Sequence, residues 1–262
     1  MAEKAESSSR VSPESAQRVL IVGATGFCGR ALVERLAQTS GYTPVAHIRP
    51  TSRRLERARQ DWEASPVELL VTPWSALAAA LQRRPPDFIV SLIGTTKRSA
   101  RQGGGDYEEV DAGLNLSLIA AAATLSPLPH FFYLSSMGIE WARWSAYLRA
   151  RVAVEAALAE SPLPATVLRP GLLTGESRDE ARPLEAVSAW FSYRAAALAK
   201  GVGLRSLARG MRPLDAPELA EIIAHLLMEA TAARPLEDCY LLPALHALRE
   251  EQLRSYDETR SR

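Results

Sequence analysis

The segment Gly23-Ala24-Thr25-Gly26-Phe27-Cys28-Gly29 constrains this chain more than any other. Its glycines, spaced GxxGxxG, follow the apolar run 18–22 and precede residues 30–38, where Ala31, Leu32, Val33 and Leu36 recur at helical spacing. A strand, a glycine loop and a helix in that order form a recognisable cradle. Gly23 permits the tight turn, Gly26 lets the backbone approach a pyrophosphate, and Gly29 lets the helix pack closely. The helix start adds amide donors and partial positive charge aimed at the same phosphates. Ala24, Thr25, Phe27 and Cys28 complete the loop. Phe27 either touches the dinucleotide or only packs. Cys28 reads as a small packing residue rather than a reactive thiol.

The remaining chain alternates. Strands are expected at 43–48, 67–71, 87–93, 130–134, 165–168 and 239–242. Helices are expected near 52–64, 74–82, 107–125, 142–160, 186–200 and 217–230, with Asp106 and Glu109 as a variant capping box for the fourth helix of the chain. Apolar residues in 87–93 run together without alternation, as in a strand buried on both faces. This pattern implies an α/β fold: a Rossmann-like, doubly wound parallel sheet with a small substrate-side extension toward the C-terminus. Three regions follow: a disordered polar tail at 1–17, a dinucleotide-binding domain at 18–243 whose residues from about 171 form the extension, and a charged helix or tail at 244–262.

Composition narrows the function classes. With 262 residues the chain is long enough for one large α/β domain. The net charge of +1 supplies no field that would favour nucleic acid. No apolar stretch is long enough to insert in a membrane, and residues 1–17 carry no apolar signal core. Two cysteines, Cys28 and Cys239, make no disulfide framework, so reduced thiols and a cytoplasmic location are expected. His47, His130, His225 and His246 show neither metal-ligand spacing nor a Ser-His-Asp pattern, and no metal is expected.

The choice of dinucleotide is set after the second strand. An NAD site places an acidic residue roughly 20 residues after the first glycine, on the ribose 2′-hydroxyl. This chain has none between Glu34 and Glu56; it has Ile48-Arg49-Pro50-Thr51-Ser52-Arg53-Arg54 instead. A guanidinium there pairs with a 2′-phosphate through charge-assisted hydrogen bonds. Arg49, supported by Ser52 and Arg53, therefore favours NADP over NAD; the alternative is that these arginines are a solvated helix surface.

The fifth strand ends in Tyr133-Leu134-Ser135-Ser136-Met137-Gly138. Tyr147 follows eleven residues after Ser136, with Arg151 four positions later on the same helix face. A neighbouring cation stabilises a phenolate and helps a tyrosine exchange protons. A serine at the strand end can hold a carbonyl oxygen. Ser136, Tyr147 and Arg151 together suit carbonyl reduction or alcohol oxidation beside a nicotinamide. Ser135 is assigned to backbone or cofactor, and Arg169 equally to an ion pair or a ligand contact.

The glycine loop, the Ser-Ser strand end and the Tyr-x-x-x-base helix resemble the extended and atypical short-chain dehydrogenase/reductase superfamily. Gly94-Thr95-Thr96, Val110-Asp111, Leu134-Ser135-Ser136, Tyr147-Leu148 and Arg169-Pro170-Gly171 are similar to the Tat-interacting-protein oxidoreductases and their bacterial relatives. The likeness runs from about residue 18 to 185. It implies that Gly94 and Thr95 flank the adenosine half, that Ser136 orients substrate, that Tyr147 is the acid/base, and that the loop at Pro170 lies near the nicotinamide. Two departures stand out. The family's lysine, which also bonds the nicotinamide ribose, is Arg151 here, and the acidic residue expected near the adenine is Thr72. Three functions remain open at this point: an NADP(H)-dependent oxidoreductase for a small carbonyl or alcohol; a cofactor-binding regulator or assembly factor, with a protein partner and little turnover; and, more weakly, a nucleotide-sugar epimerase or dehydratase. The chain is expected to be a monomer or homodimer.

Overall fold

The computed structural model describes residues 16–94, 111–171, 173–174, 214–232 and 239–241. The expected helix 186–200, the capping box at Asp106 and Glu109, Thr95, and the segments 1–15 and 242–262 lie outside the described residues.

The first strand, β1 (Gln17–Val22), lies inside the sheet because its last four residues are apolar. Val19, Leu20, Ile21 and Val22 are all essentially buried. Strand periodicity sends them to opposite faces: Val19 and Ile21 join one hydrophobic cluster, Leu20 and Val22 the other. A strand covered on both sides reads as an unbroken apolar run.

In chain order the further elements are α1 (Phe27–Ala37), β2 (Tyr42–Ile48), α2 (Leu55–Trp62), β3 (Glu68–Val71), α3 (Trp74–Arg83) and β4 (Phe88–Ser91). Then follow α4 (Leu114–Ala122), β5 (His130–Leu134), a 3₁₀ helix (Ile139–Trp144), α5 (Ala146–Glu160), β6 (Ala165–Arg169), β7 (Leu173–Thr174), β8 (Leu214–Asp215), α6 (Ala216–Thr231) and β9 (Cys239–Leu241). Seven strands form one sheet in the order β3-β2-β1-β4-β5-β6-β9, and every pairing is parallel. The strands β7 and β8 form a separate parallel pair. This is the expected α/β, Rossmann-like, doubly wound sheet. Because β1 pairs with both β2 and β4, the winding reverses there, and the crevice beyond the carboxyl ends of β1 and β4 is where such sheets take ligands.

Helices cover both faces. Leu32 and Leu36 of α1, Trp62 of α2, and Leu219, Ile223 and Leu227 of α6 bury one side. Leu77 of α3, Leu118 of α4, and Val154 and Leu158 of α5 bury the other. The late helix α6 belongs to the core, although the sequence places it in the substrate-side region. Its start is fixed by Asp215, which accepts from the Glu218 amide at 2.7 Å, while the Glu218 carboxylate accepts from the Asp215 amide at 3.1 Å.

Two helix boundaries differ from the sequence expectation. Helix α1 opens at Phe27, not at residue 30, so the glycine loop runs straight into the helix. The helix expected over 142–160 is two elements. Gly138 takes a left-handed φ of 88° and leads into the 3₁₀ turn; Ser145 is then extended and caps α5, its Oγ accepting from the Leu148 amide at 3.4 Å. A serine that caps one helix cannot also continue another, because its φ/ψ lie outside the helical region.

Candidate functional site

The glycine loop is shaped mostly by its own backbone. Gly23 has φ 86°, and a Cβ there would stand 2.8 Å from the Leu92 carbonyl oxygen just past β4. A Cβ at Gly29 would come within 2.1 Å of the Gly23 carbonyl oxygen, and one at Gly26 within 3.0 Å of the same atom. The third glycine therefore lets the first turn of α1 lie against the backbone that leaves β1. Ala24 is wholly buried. The Gly26 amide donates to Gly23 O at 2.9 Å, closing the turn. The N-cap residue of α1 is Gly26, which brings no side chain, and no acidic residue stands in the first turn, where one would repel phosphate. Cys28 sits in that turn, half-buried, and takes part in no disulfide. A tightly folded loop that leads straight into a helix start at the crevice fits the pyrophosphate of a dinucleotide.

Beyond β2 the chain turns at once, with the Ser52 amide donating to Arg49 O at 2.9 Å. Arg49 and Arg53 are exposed at this rim, and Ser52 is half-exposed, its Oγ accepting from the Arg54 amide at 3.3 Å. Arg54 reaches across to the glycine loop and donates to Thr25 O at 2.9 Å. The sequence reading passed over Arg54 in favour of Arg49. Only the tertiary contact, 29 residues apart along the chain, separates the two. Thr72 stands after β3, its carbonyl in contact with His47 Nε2 at 3.1 Å, and burial lowers the pKa of that imidazole.

The reaction side is built at the ends of β4 and β5. Bonds from Ser135 N to Leu168 O (2.8 Å) and from Met137 N to Pro170 O (2.9 Å) carry the β5–β6 pairing past both strand ends. They bracket Ser136, which is half-exposed with its Oγ donating to Met137 O at 3.1 Å. Pro170 is buried and serves this tie through its carbonyl. Ser135 donates its hydroxyl to Glu155 Oε1 at 2.5 Å, and Arg169 pairs with both oxygens of the same carboxylate. Ser135 thus bonds a side chain rather than backbone, and Arg169 is an ion-pair partner.

Tyr147 lies in the first turn of α5, half-exposed, with the Arg151 guanidinium carbon 5.0 Å from its ring centroid. The expected pairing of these two residues is present. Arg151 is only 5% exposed, however, and its donors go inward. One terminal nitrogen donates to Leu134 O at 2.9 Å, to the Tyr133 hydroxyl at 3.1 Å and to Ile93 O at 3.3 Å. The other donates to Asp111 Oδ2 at 3.1 Å, and the Asp111 side chain is wholly buried. Among the described residues the buried Nε has no acceptor. Burial alone would lower the pKa of Arg151; Tyr147, Tyr133 and Asp111 raise it on balance, so the guanidinium stays charged. Burial pushes the Tyr133 hydroxyl up to about 12, with Arg151 pulling the other way.

The network continues from Asp111. A π-helical turn at 111–113 leads into α4, a form often found at functional sites. The Asn115 amide donates to Asp111 O at 2.6 Å, and its Oδ1 accepts from the Ser91 hydroxyl at 2.5 Å. Ser91, Asp111 and Asn115 are each 0% exposed. The sequence reading gave none of the three a role. Their signal was present in the four-residue spacing of Asp111 and Asn115 beside Ala112, Leu118, Ile119 and Ala122, a polar pair in an apolar helix. Gly94, expected beside the adenosine, sits over the guanidinium: a Cβ on it would be 2.9 Å from an Arg151 terminal nitrogen.

A parallel sheet reversing at β1, with a glycine loop in its crevice and a serine and a Tyr-x-x-x-base helix on its carboxyl side, defines a Rossmann-fold protein of the dinucleotide-binding class. The chain matches the NAD(P)H-binding family over residues 23–190 and belongs to it. It is 32% identical over 182 residues to the mitochondrial protein fmp52 of Aspergillus niger, covering 66% of this chain and 74% of that one. The mitochondrial FMP52 of Candida glabrata is 29% identical over 167 residues, covering 63% and 67%. Among solved structures, UDP-glucose 4-epimerase from Brucella ovis in complex with NAD aligns with a TM-score of 0.58 at 17% identity, covering 84% of this chain and 75% of that one. At that identity the likeness shows the fold alone. The narrower resemblance to Tat-interacting-protein oxidoreductases finds no support in these matches. The cytoplasmic expectation is overturned, since these relatives are named mitochondrial. Reduced thiols and an ordinary charge balance carry no address, because they suit more than one compartment. Among the described residues, no helix is long and apolar enough to cross a membrane and no His/Cys/Asp/Glu group could hold a metal ion.

Proposed function

We propose that this chain is a mitochondrial, NADP(H)-dependent oxidoreductase acting on a small carbonyl or alcohol. The observation that carries the reading is the Tyr147 ring set 5.0 Å from a permanently charged guanidinium, on the helix that follows the Ser136 strand end. The cofactor, when bound, supplies or accepts the hydride. Gly23, Gly26 and Gly29 leave room for its pyrophosphate, with Ala24, Thr25, Phe27 and Cys28 around them, and the loop at Pro170 would lie near its nicotinamide end. Arg49, Ser52 and Arg53, with Arg54 braced on Thr25, would take the 2′-phosphate. The Ser136 hydroxyl donates a hydrogen bond to the substrate oxygen. Tyr147 gives that oxygen a proton in reduction and recovers it in oxidation, and Arg151 holds the tyrosine ring in place. In Tyr147→Phe, turnover of a carbonyl panel with NADPH should collapse while calorimetric NADPH affinity stays within about twofold. Undiminished turnover removes the assignment.

One observation favours a second reading, a cofactor-binding regulator with little turnover. Both terminal nitrogens of Arg151 are committed to protein acceptors, so the ribose contact of the family's lysine has no evident replacement. Tight NADPH binding with no turnover across the panel supports this reading over the first.

A further inference from the structure

An arginine in place of the family's lysine needs three things that lysine does not. It needs space for a second terminal nitrogen, acceptors for a planar fork, and a counter-charge that survives burial. Each is present, and each comes from a different part of the fold. Gly94, three residues past β4, supplies the space. Ile93 O, just past β4, and Leu134 O and the Tyr133 hydroxyl, on β5, supply acceptors. Asp111, at the start of α4, supplies the charge and is itself held by Asn115 through its carbonyl.

We infer that Gly94, Asp111 and Arg151 form one positioning unit for Tyr147. Asp111 neutralises the guanidinium, Gly94 leaves it room, and Arg151 holds the tyrosine ring from inside the protein without touching cofactor or substrate. The role given to Tyr147 rests on the oxidoreductase reading above; the unit itself does not.

Gly94 has no left-handed φ, so its backbone accepts alanine. The obstacle to a Cβ is the Arg151 nitrogen 2.9 Å away. The end of an arginine ordinarily swings aside at little cost. This one is pinned by its hydrogen bonds on one side and stacked on Tyr147 at 5.0 Å. Moving it toward ordinary contact distance lengthens the 3.1 Å bond to Asp111 or tilts the plane off the tyrosine. A lysine at 151 ends in one compact nitrogen and carries nothing toward Gly94.

The test is a double-mutant cycle in the full chain: Gly94→Ala, Arg151→Lys and the pair. Thermal midpoint, NADPH affinity by calorimetry, and kcat are the readouts. Gly94→Ala should lower the midpoint by about 5 °C and kcat by about tenfold or more, with NADPH affinity nearly unchanged. Arg151→Lys should lower midpoint and kcat alone, yet restore most of both in the Gly94→Ala background. Additive losses overturn the unit. So does an NADPH affinity lost in Gly94→Ala and not recovered by lysine, because the bare backbone then serves the cofactor. The ring contact is read without chemistry by a second cycle, Tyr147→Leu with Arg151→Met, whose midpoint losses should couple. Coupling in both cycles with no turnover in the wild type keeps the unit and removes the oxidoreductase reading. Turnover abolished by Tyr147→Phe with both cycles additive keeps that reading and removes the unit.

Discussion

Asp111→Asn isolates the charge of the buried pair while keeping the shape of the side chain. Asp111 is 0% exposed at its side chain and Arg151 is 6% exposed, with 3.1 Å between them. Deleting one partner of such a pair costs roughly 3–5 kcal/mol, because the remaining ion has lost both water and counter-charge. Asparagine can still accept one hydrogen bond from the guanidinium, so the lower end, about 3 kcal/mol, applies. In a domain of this size each kcal/mol moves the midpoint by about 2–4 °C, giving a fall of about 6–12 °C. Differential scanning fluorimetry reads the fall directly, and urea denaturation gives it as a free energy. The control is Asp61→Asn at the half-exposed pair with Arg30, which should lower the midpoint far less. Adding Arg151→Met to Asp111→Asn should recover part of the loss, since no charge is then left buried. An Asp111→Asn protein as stable as the wild type would refute the reasoning, for the guanidinium would then be compensated elsewhere.

Gly29→Ala sets a Cβ 2.1 Å from Gly23 O and 2.8 Å from Ala24 Cα, so the loop backbone must open. It should cost about 1–3 kcal/mol of stability, and calorimetry should show NADPH binding lost. Stability should also fall with acid. Burial lowers the pKa of both His47 and His130 below the ordinary 6.5. The unfolded chain then binds more protons than the folded one below that value, so the midpoint should hold above pH 6.5 and decline as pH drops through it toward the folded-state values. His130→Phe, measured at pH 7.5 and 5.5, should flatten part of that slope. A midpoint that rises toward pH 5.5 contradicts the sign.

The fold was legible because its physics is local. Parallel strands buried on both faces are unbroken apolar runs, as at Val19–Val22 and Phe88–Val90, and the glycine loop joins a strand to a helix without an intervening residue to confuse the pattern. Tyr147 and Arg151 were legible as a pair because one turn of helix separates them. The direction in which Arg151 points was not. Its acceptors lie 17, 18, 40 and 58 residues away along the chain, and no spacing rule reaches that far. Arg54 was missed for the same reason, since its bond to Thr25 O is a property of the folded loop. Ser145 was a readable signal left unread: a helix-capping residue inside a stretch expected to be one helix.

The proposed function requires a phosphate-bearing pyridine nucleotide seated over the start of α1. Calorimetric titration of the purified chain with NADPH and NADH in parallel tests it most directly. NADPH should bind at least about tenfold more tightly than NADH, a preference that Arg49→Ala with Arg54→Ala should erase. Equal affinities would contradict the guanidinium assignment, and no heat from either nucleotide would contradict the site itself.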